Sequence, residues 1–124
     1  MVDPVTNMVE APWQRSLLVR TQGWPEGSYL LKLVSSTGGA SYVPMVIRND
    51  RSAADLVFQH QVNTWQAYNT WGGYNLYEGP DGFDSRSRVV SFDRPYAGSG
   101  AAGMLRAMPL IALAEQRGMD VTYV

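Results

Sequence analysis

The chain has few residue types with which to do chemistry. It contains no cysteine and a single histidine, His60, against seven tyrosines and eleven carboxylates. Disulfides, thiol nucleophiles, iron–sulfur clusters and cysteine zinc sites are therefore excluded, and a histidine-based triad or metal centre has almost nothing to work with. Carboxylates, phenols and hydroxyls remain. Asp81 and Asp84 lie among glycines, but no EF-hand spacing accompanies them, which favours solvated turn carboxylates over a calcium loop. The densest cluster of chemically capable side chains runs from Asn63 to Tyr77, where Trp65, Tyr68, Trp71 and Tyr74 recur among asparagines and the pair Gly72-Gly73.

Composition narrows the function classes further. At 124 residues, 45% of them hydrophobic, the chain has the length of one ordinary domain. Ten basic and eleven acidic residues give a net charge of −1, and neither sign forms a block. A protein that binds nucleic acid by neutralising phosphates needs a basic stripe, so no nucleic-acid partner is expected. No apolar run approaches the length of a membrane span, and Met1–Glu10 lacks the apolar core of a secretory signal. No membrane partner is expected, and the cytoplasm is the default compartment.

Two kinds of element must position the cluster. Residues 1–50 read as β structure, with Ser16–Arg20 as a short apolar run and Trp24-Pro25-Glu26-Gly27 as a turn. In Ser28–Val34, alternation puts Tyr29, Leu31 and Leu33 on one face. Thr37-Gly38-Gly39 makes a hairpin connection to a second strand, Ala40–Arg48, which Pro44 confines to an edge or a bulge. A few strands without a partner sheet are marginal in water, so this half reads as the closing hairpin of a β-sandwich. After the polar linker 50–54, residues 54–124 change character. Asp55–Phe58 predicts a short strand buried on both faces, and Asn63–Asp84 a long loop kept ordered by its aromatics. Arg88–Phe92 predicts another brief strand. Leu105, Met108, Ile111 and Ala112 have helical spacing, with Pro109 either starting the helix or kinking it. Gly118 is placed to cap it, and Met119–Val124 follows as a strand. Strand, helix, glycine and strand spell a βαβ unit with a parallel sheet. The fold class expected is mixed α/β: the terminal hairpin of an Ig-like sandwich, then an incomplete parallel α/β unit.

The run Asn63-Thr64-Trp65-Gln66-Ala67-Tyr68-Asn69-Thr70-Trp71-Gly72-Gly73-Tyr74-Asn75-Leu76-Tyr77 resembles proteins related to the large (beta) subunit of N,N-dimethylformamidase. Val89–Tyr96, Pro109-Leu110 and Gly118–Val124 resemble the same family. Upstream, Gly27-Ser28-Tyr29 and Ser41-Tyr42-Val43-Pro44 are similar to the sandwich that precedes its α/β domain. The likeness extends over nearly everything beyond Leu17. It implies an α/β domain like that of class I glutamine amidotransferases without the cysteine, and hydrolysis of a formamide C–N bond at a mononuclear iron held by two tyrosines and a glutamate. Phenolate is a hard anionic donor suited to ferric iron, and such an ion can polarise an amide carbonyl.

Carried onto this sequence, the resemblance offers Tyr68 as one iron ligand and Tyr29, ahead of Tyr42, as the other. The glutamate belongs to a His-x-Glu-Tyr motif that is absent here. The chain is thus expected to be part of a larger hydrolase acting on a small amide, and by itself to retain no iron and hydrolyse no formamide. Asn69 and Trp71 are the candidate substrate contacts. Plainer roles stand beside these: Tyr68 packing its ring, Tyr29 and His60 structural, Asn69 bonding its own backbone, and Trp65 and Trp71 bracing the loop. The main alternative is a non-catalytic binding module built from the β half and the aromatic loop. Another is an amidotransferase-like scaffold with a different reaction or none. Exposed sheet edges make oligomerisation an open expectation.

Overall fold

The computed structural model describes residues 1–124. Its architecture is mixed, an antiparallel hairpin joined to a parallel pair of strands with two α-helices. Strand β1 (Gly27–Val34) pairs with β2 (Ala40–Ile47) in unbroken register from Gly27 opposite Ile47 to Val34 opposite Ala40. Gly38, at φ 88°, closes the turn by donating to the Ser35 carbonyl at 3.0 Å. Pro44 sits opposite Leu30 with no bulge. Its edge position has a clear reason: the Tyr42 N–H points away from β1 and donates to Ser99 O at 2.8 Å. Pro44, two residues on, has its missing donor on that same outer side.

Strand β3 (Leu56–Phe58) and strand β4 (Val121–Tyr123) run parallel, Leu56 opposite Val121 and Phe58 opposite Tyr123. The pairing extends past both strands through His60 N to Val124 O, 2.8 Å, and Val124 N to Phe58 O, 3.0 Å. Between them lie helix α1 (Val62–Ala67), two single 3₁₀ turns, and helix α2 (Met104–Gln116). Gly118 (φ 67°) ends α2 in a Schellman cap, its N–H donating to Glu115 O and the Met119 N–H to Ala114 O. Pro109 lies inside α2 and neither begins nor interrupts it; it simply leaves one carbonyl of the preceding turn without its donor.

Several expectations are corrected. Leu56 and Val57 are exposed, so β3 is not covered on both faces; a pair of strands with one helix can cover only one. Arg88–Phe92 and Ser16–Arg20 form no strand. The predicted loop 63–84 overlaps α1 and both 3₁₀ turns. In α2 the buried stripe starts one residue earlier than its spacing suggested: Met104 and Ile111 are buried and Ala107 and Ala114 half-buried, while Leu105 and Met108 are exposed. The small alanines allow close approach to the chain beneath, and the larger side chains take the outer face.

Only 15 residues are buried, and among them seven polar or charged side chains outnumber five hydrophobic ones. Hydrogen bonds therefore organise the irregular middle of the chain. Arg94 donates to Trp71 O (3.0 Å), Tyr74 O (2.9 Å), Gln66 O and Gln66 Oε1 (both 3.2 Å). Asn75 Oδ1 accepts from the Tyr77 and Glu78 N–H groups, a local turn of the kind asparagine favours. The N-terminal segment packs against the same region. Asn7 donates to Ser85 O, Arg88 N to Thr6 O, and Val9 is buried under Gly72, where a Cβ would meet its Cγ1 at 2.5 Å. The hairpin and the parallel pair are joined by Ser28 Oγ to His60 Nε2 (2.6 Å) and Thr122 Oγ1 to Glu26 Oε2 (2.8 Å).

Candidate functional site

A cavity of about 680 Å³ opens where β3 ends, within the size range of small-molecule sites. Phe58, Gln59 and His60 form its floor at the strand's carboxyl end. Thr64, Trp65 and Tyr68 come from α1 and its C-cap, Tyr96 from the loop beyond Arg94, and Gly103 and Arg106 from the first turn of α2. The chain order explains the convergence. A parallel strand must be followed by a crossover, so the end of β3, the helix after it and the start of the returning helix meet at one edge.

Tyr68 stands at this edge with its side chain exposed (58%) and its ring stacked on Tyr77, centroids 4.3 Å apart at 14°. Hydrogen bonding to the Tyr77 hydroxyl, then the charge of Tyr77 and slight burial, raise its pKa above the ordinary phenol value. The neutral phenol is therefore the form present at neutral pH, and a cation would be needed to draw off its proton. His60 is buried at 5% exposure, and desolvation lowers its pKa, so it is neutral at pH 7. Its Nδ1 is buried without a partner, while Phe58 and Trp65 pack beside the ring at 5.1 and 5.5 Å. Burial raises the Tyr96 pKa, opposed by hydrogen bonding to Gln66 and by the Arg94 charge. Arg106 is the only arginine, lysine, aspartate or glutamate on the cavity wall.

The four residues singled out from sequence do not all converge. Tyr68 and Asn69 line the cavity; Tyr29 and Trp71 do not. Tyr29 packs against Trp24 at 5.3 Å and donates its hydroxyl to Pro25 O at 2.8 Å. Trp71 meets Trp13 edge-on at 5.9 Å, and its carbonyl accepts from Arg94. Asn69 Nδ2 donates to Gln66 Oε1 and Pro95 O, and its Oδ1 accepts from the N–H groups of Trp71 and Ala97. All four hydrogen-bonding positions of that amide are in use, which leaves no donor free for a ligand in this arrangement. Sequence reasoning missed Thr64, Tyr96 and Arg106 as wall residues. None of the three carried a local signal that would have singled it out.

An iron held by two phenolates and a carboxylate does not fit the residues present. The cavity wall carries two phenols, the exposed Tyr68 and the half-buried Tyr96, but no aspartate or glutamate, and nowhere do three His, Cys, Asp or Glu side chains gather closely enough to hold a metal. No helix is long and apolar enough to cross a membrane.

Fold and cavity together define an α/β chain with a candidate small-molecule site beyond the carboxyl edge of its parallel strands. The family described as N,N-dimethylformamidase beta subunit-like, C-terminal, matches residues 1–124, and the chain belongs to that family. No curated protein and no solved structure matches the sequence.

Proposed function

We propose that the cavity past Phe58 is the amide-binding chamber of a dimethylformamidase-like hydrolase, and that these 124 residues alone neither retain iron in stoichiometric amount nor hydrolyse the amide. The observation that carries this reading is the accessible Tyr68 phenol on the wall of a 680 Å³ cavity at the carboxyl end of a parallel strand, in a chain belonging to that family. Arg106 is the donor suited to an amide oxygen. Phe58, Trp65 and Tyr96 give apolar walls for N-alkyl groups, and Tyr68 presents its hydroxyl at the opening. Neutral, buried His60 supports the floor. With no carboxylate at the cavity, the chain's own part is binding and orientation.

The test is a titration of isotopically labelled protein with N,N-dimethylformamide, followed by amide NMR, together with metal analysis of the purified chain. Shifts concentrated at Gln59–Tyr68 and Gly103–Ala107, saturating and weakened by Arg106→Ala, support the reading. Shifts spread over the surface, or centred elsewhere, refute the chamber. Roughly one iron per chain with formamide turnover refutes the claim that these residues are insufficient.

A further inference from the structure

A second cavity, about 500 Å³, lies on the other side of the Trp65–Tyr96 pair. Pro44 and Met45 of β2, Val62 and Trp65 of α1, Phe92 and Met104 make most of its wall apolar. One lining residue breaks the pattern. Arg94 is only 6% exposed, and all of its partners are neutral carbonyl oxygens, those of Trp71, Tyr74 and Gln66 and the Gln66 side-chain amide. The chain's single ion pair is Arg48–Asp50, at the surface, and no aspartate or glutamate lines the cavity.

A guanidinium cannot escape burial by losing its proton, as a lysine can. Carbonyl dipoles offset part of the cost of removing its charge from water, and a counter-ion normally offsets the rest. Of the five N–H groups, Nε uses one, Nη1 two and Nη2 one. One Nη2 donor is therefore unassigned, on a cation that borders an apolar chamber of small-molecule size.

We propose that this second cavity binds a small amphiphilic monoanion, with an aliphatic or aryl body against Met45, Val62, Phe92 and Met104 and a carboxylate head on the free N–H of Arg94. The inference is independent of the amide chamber and does not require the chain to be an enzyme. Charge selects the head group: a charge-assisted bond to a carboxylate is about twice as strong as one to a neutral hydroxyl. The apolar walls select the body.

Octanoate is the probe and 1-octanol its uncharged match, titrated into the chain at about pH 7.5, where the acid is ionised. Trp65, which borders both cavities, reports through its fluorescence, with calorimetry for affinity. Octanoate should bind at least about tenfold more tightly than octanol. Arg94 itself pins the central loop, so its removal cannot serve as the control. Met45→Trp fills the chamber from the hairpin side, and Val62→Trp, at a 40% exposed position, fills it from the helix side. Each folded variant should weaken octanoate at least tenfold while leaving the dimethylformamide-induced shift at Arg106, which lines only the first cavity, in place. Equal affinity for octanol, unchanged affinity in either folded variant, or no binding by millimolar octanoate overturns the proposal.

Discussion

Replacing Gly103 with alanine gives the sharpest test of how the two cavities are held apart. Gly103 caps the start of α2 with φ −79° and ψ −5°, a conformation open to any residue, so backbone strain plays no part. The obstacle is the Trp65 indole. A Cβ at position 103 would fall 2.7 Å from Cε2 and 2.9 Å from Cδ1, and closer still to Nε1. Carbon pairs rest near 3.5 Å, so the ring must retreat by roughly 0.8 Å or more. It has little room, because Tyr96 and His60 meet it edge-on at 6.2 and 5.5 Å. Overpacking of this kind costs about 1–3 kcal/mol. Alanine is also a poorer N-cap than glycine, by a few tenths to about 1 kcal/mol. A double-mutant cycle separates the two costs. In a Trp65→Phe background the collision is relieved while the capping cost persists, so urea unfolding followed by circular dichroism should show a coupling of at least about 1 kcal/mol. An equal cost in both backgrounds, or a total below about 0.5 kcal/mol, would show that the indole does not rest on Gly103.

Arg94→Lys should not rescue the loss expected for Arg94→Ala. Both strand the carbonyls of Trp71, Tyr74 and Gln66, and each should lower stability by about 2–4 kcal/mol in urea; a lysine variant as stable as the parent would contradict the carbonyl cradle. His60 has a folded pKa below its ordinary value of 6.5 because of burial, so the unfolded chain takes the proton first as pH falls. Its contribution to stability is full above about pH 6.5 and drains as the pH drops through the lowered folded value, so the parent should lose stability relative to His60→Gln over that interval. A constant difference between the two would show that desolvation does not act on His60. Tyr68→Phe, at an exposed position, should change stability by less than about 0.5 kcal/mol, and a larger loss on thermal denaturation would make that phenol a structural support.

Much of the backbone plan was legible because it rests on local rules. Alternation in Ser28–Val34, the glycine turn at Gly38, the cap at Gly118 and the strand after it are each written within a few residues, and β1, β2, α2 and β4 appear where those signals stand. What failed depends on neighbours. Helix α1 is six residues long, too short to establish a period. Arg88–Phe92 has the apolar content of a strand, but its Arg88 amide bonds to Thr6 O in the N-terminal segment instead of to a strand. The buried stripe of α2 follows from where Ala107 and Ala114 let it settle, which the spacing of its larger residues obscured. Tyr68 could be placed at a carboxyl edge from the order strand, helix and loop, and it lines the cavity there. Arg106 and Tyr96 reach the same wall from distant segments, and no local pattern announces that meeting. Asn69 shows the converse: a residue type suited to touching a ligand is consumed by the loop that presents it.

The outer flank of β2 bears on how copies of this chain would meet. The Tyr42 amide is already engaged, the next outward position is a proline, and Gly100 crowds the strand so closely that even a methyl group there would strike the Tyr42 backbone. An incoming strand finds no row of donors on that side. At the opposite strand, the Ser28 hydroxyl clasps His60, but the outward amides of Leu30, Lys32 and Val34 have no partner. Strand addition to the hairpin is thereby steered to the β1 side, where Lys32 already stands exposed as one charge against it and a proline at Val34 would remove a further donor.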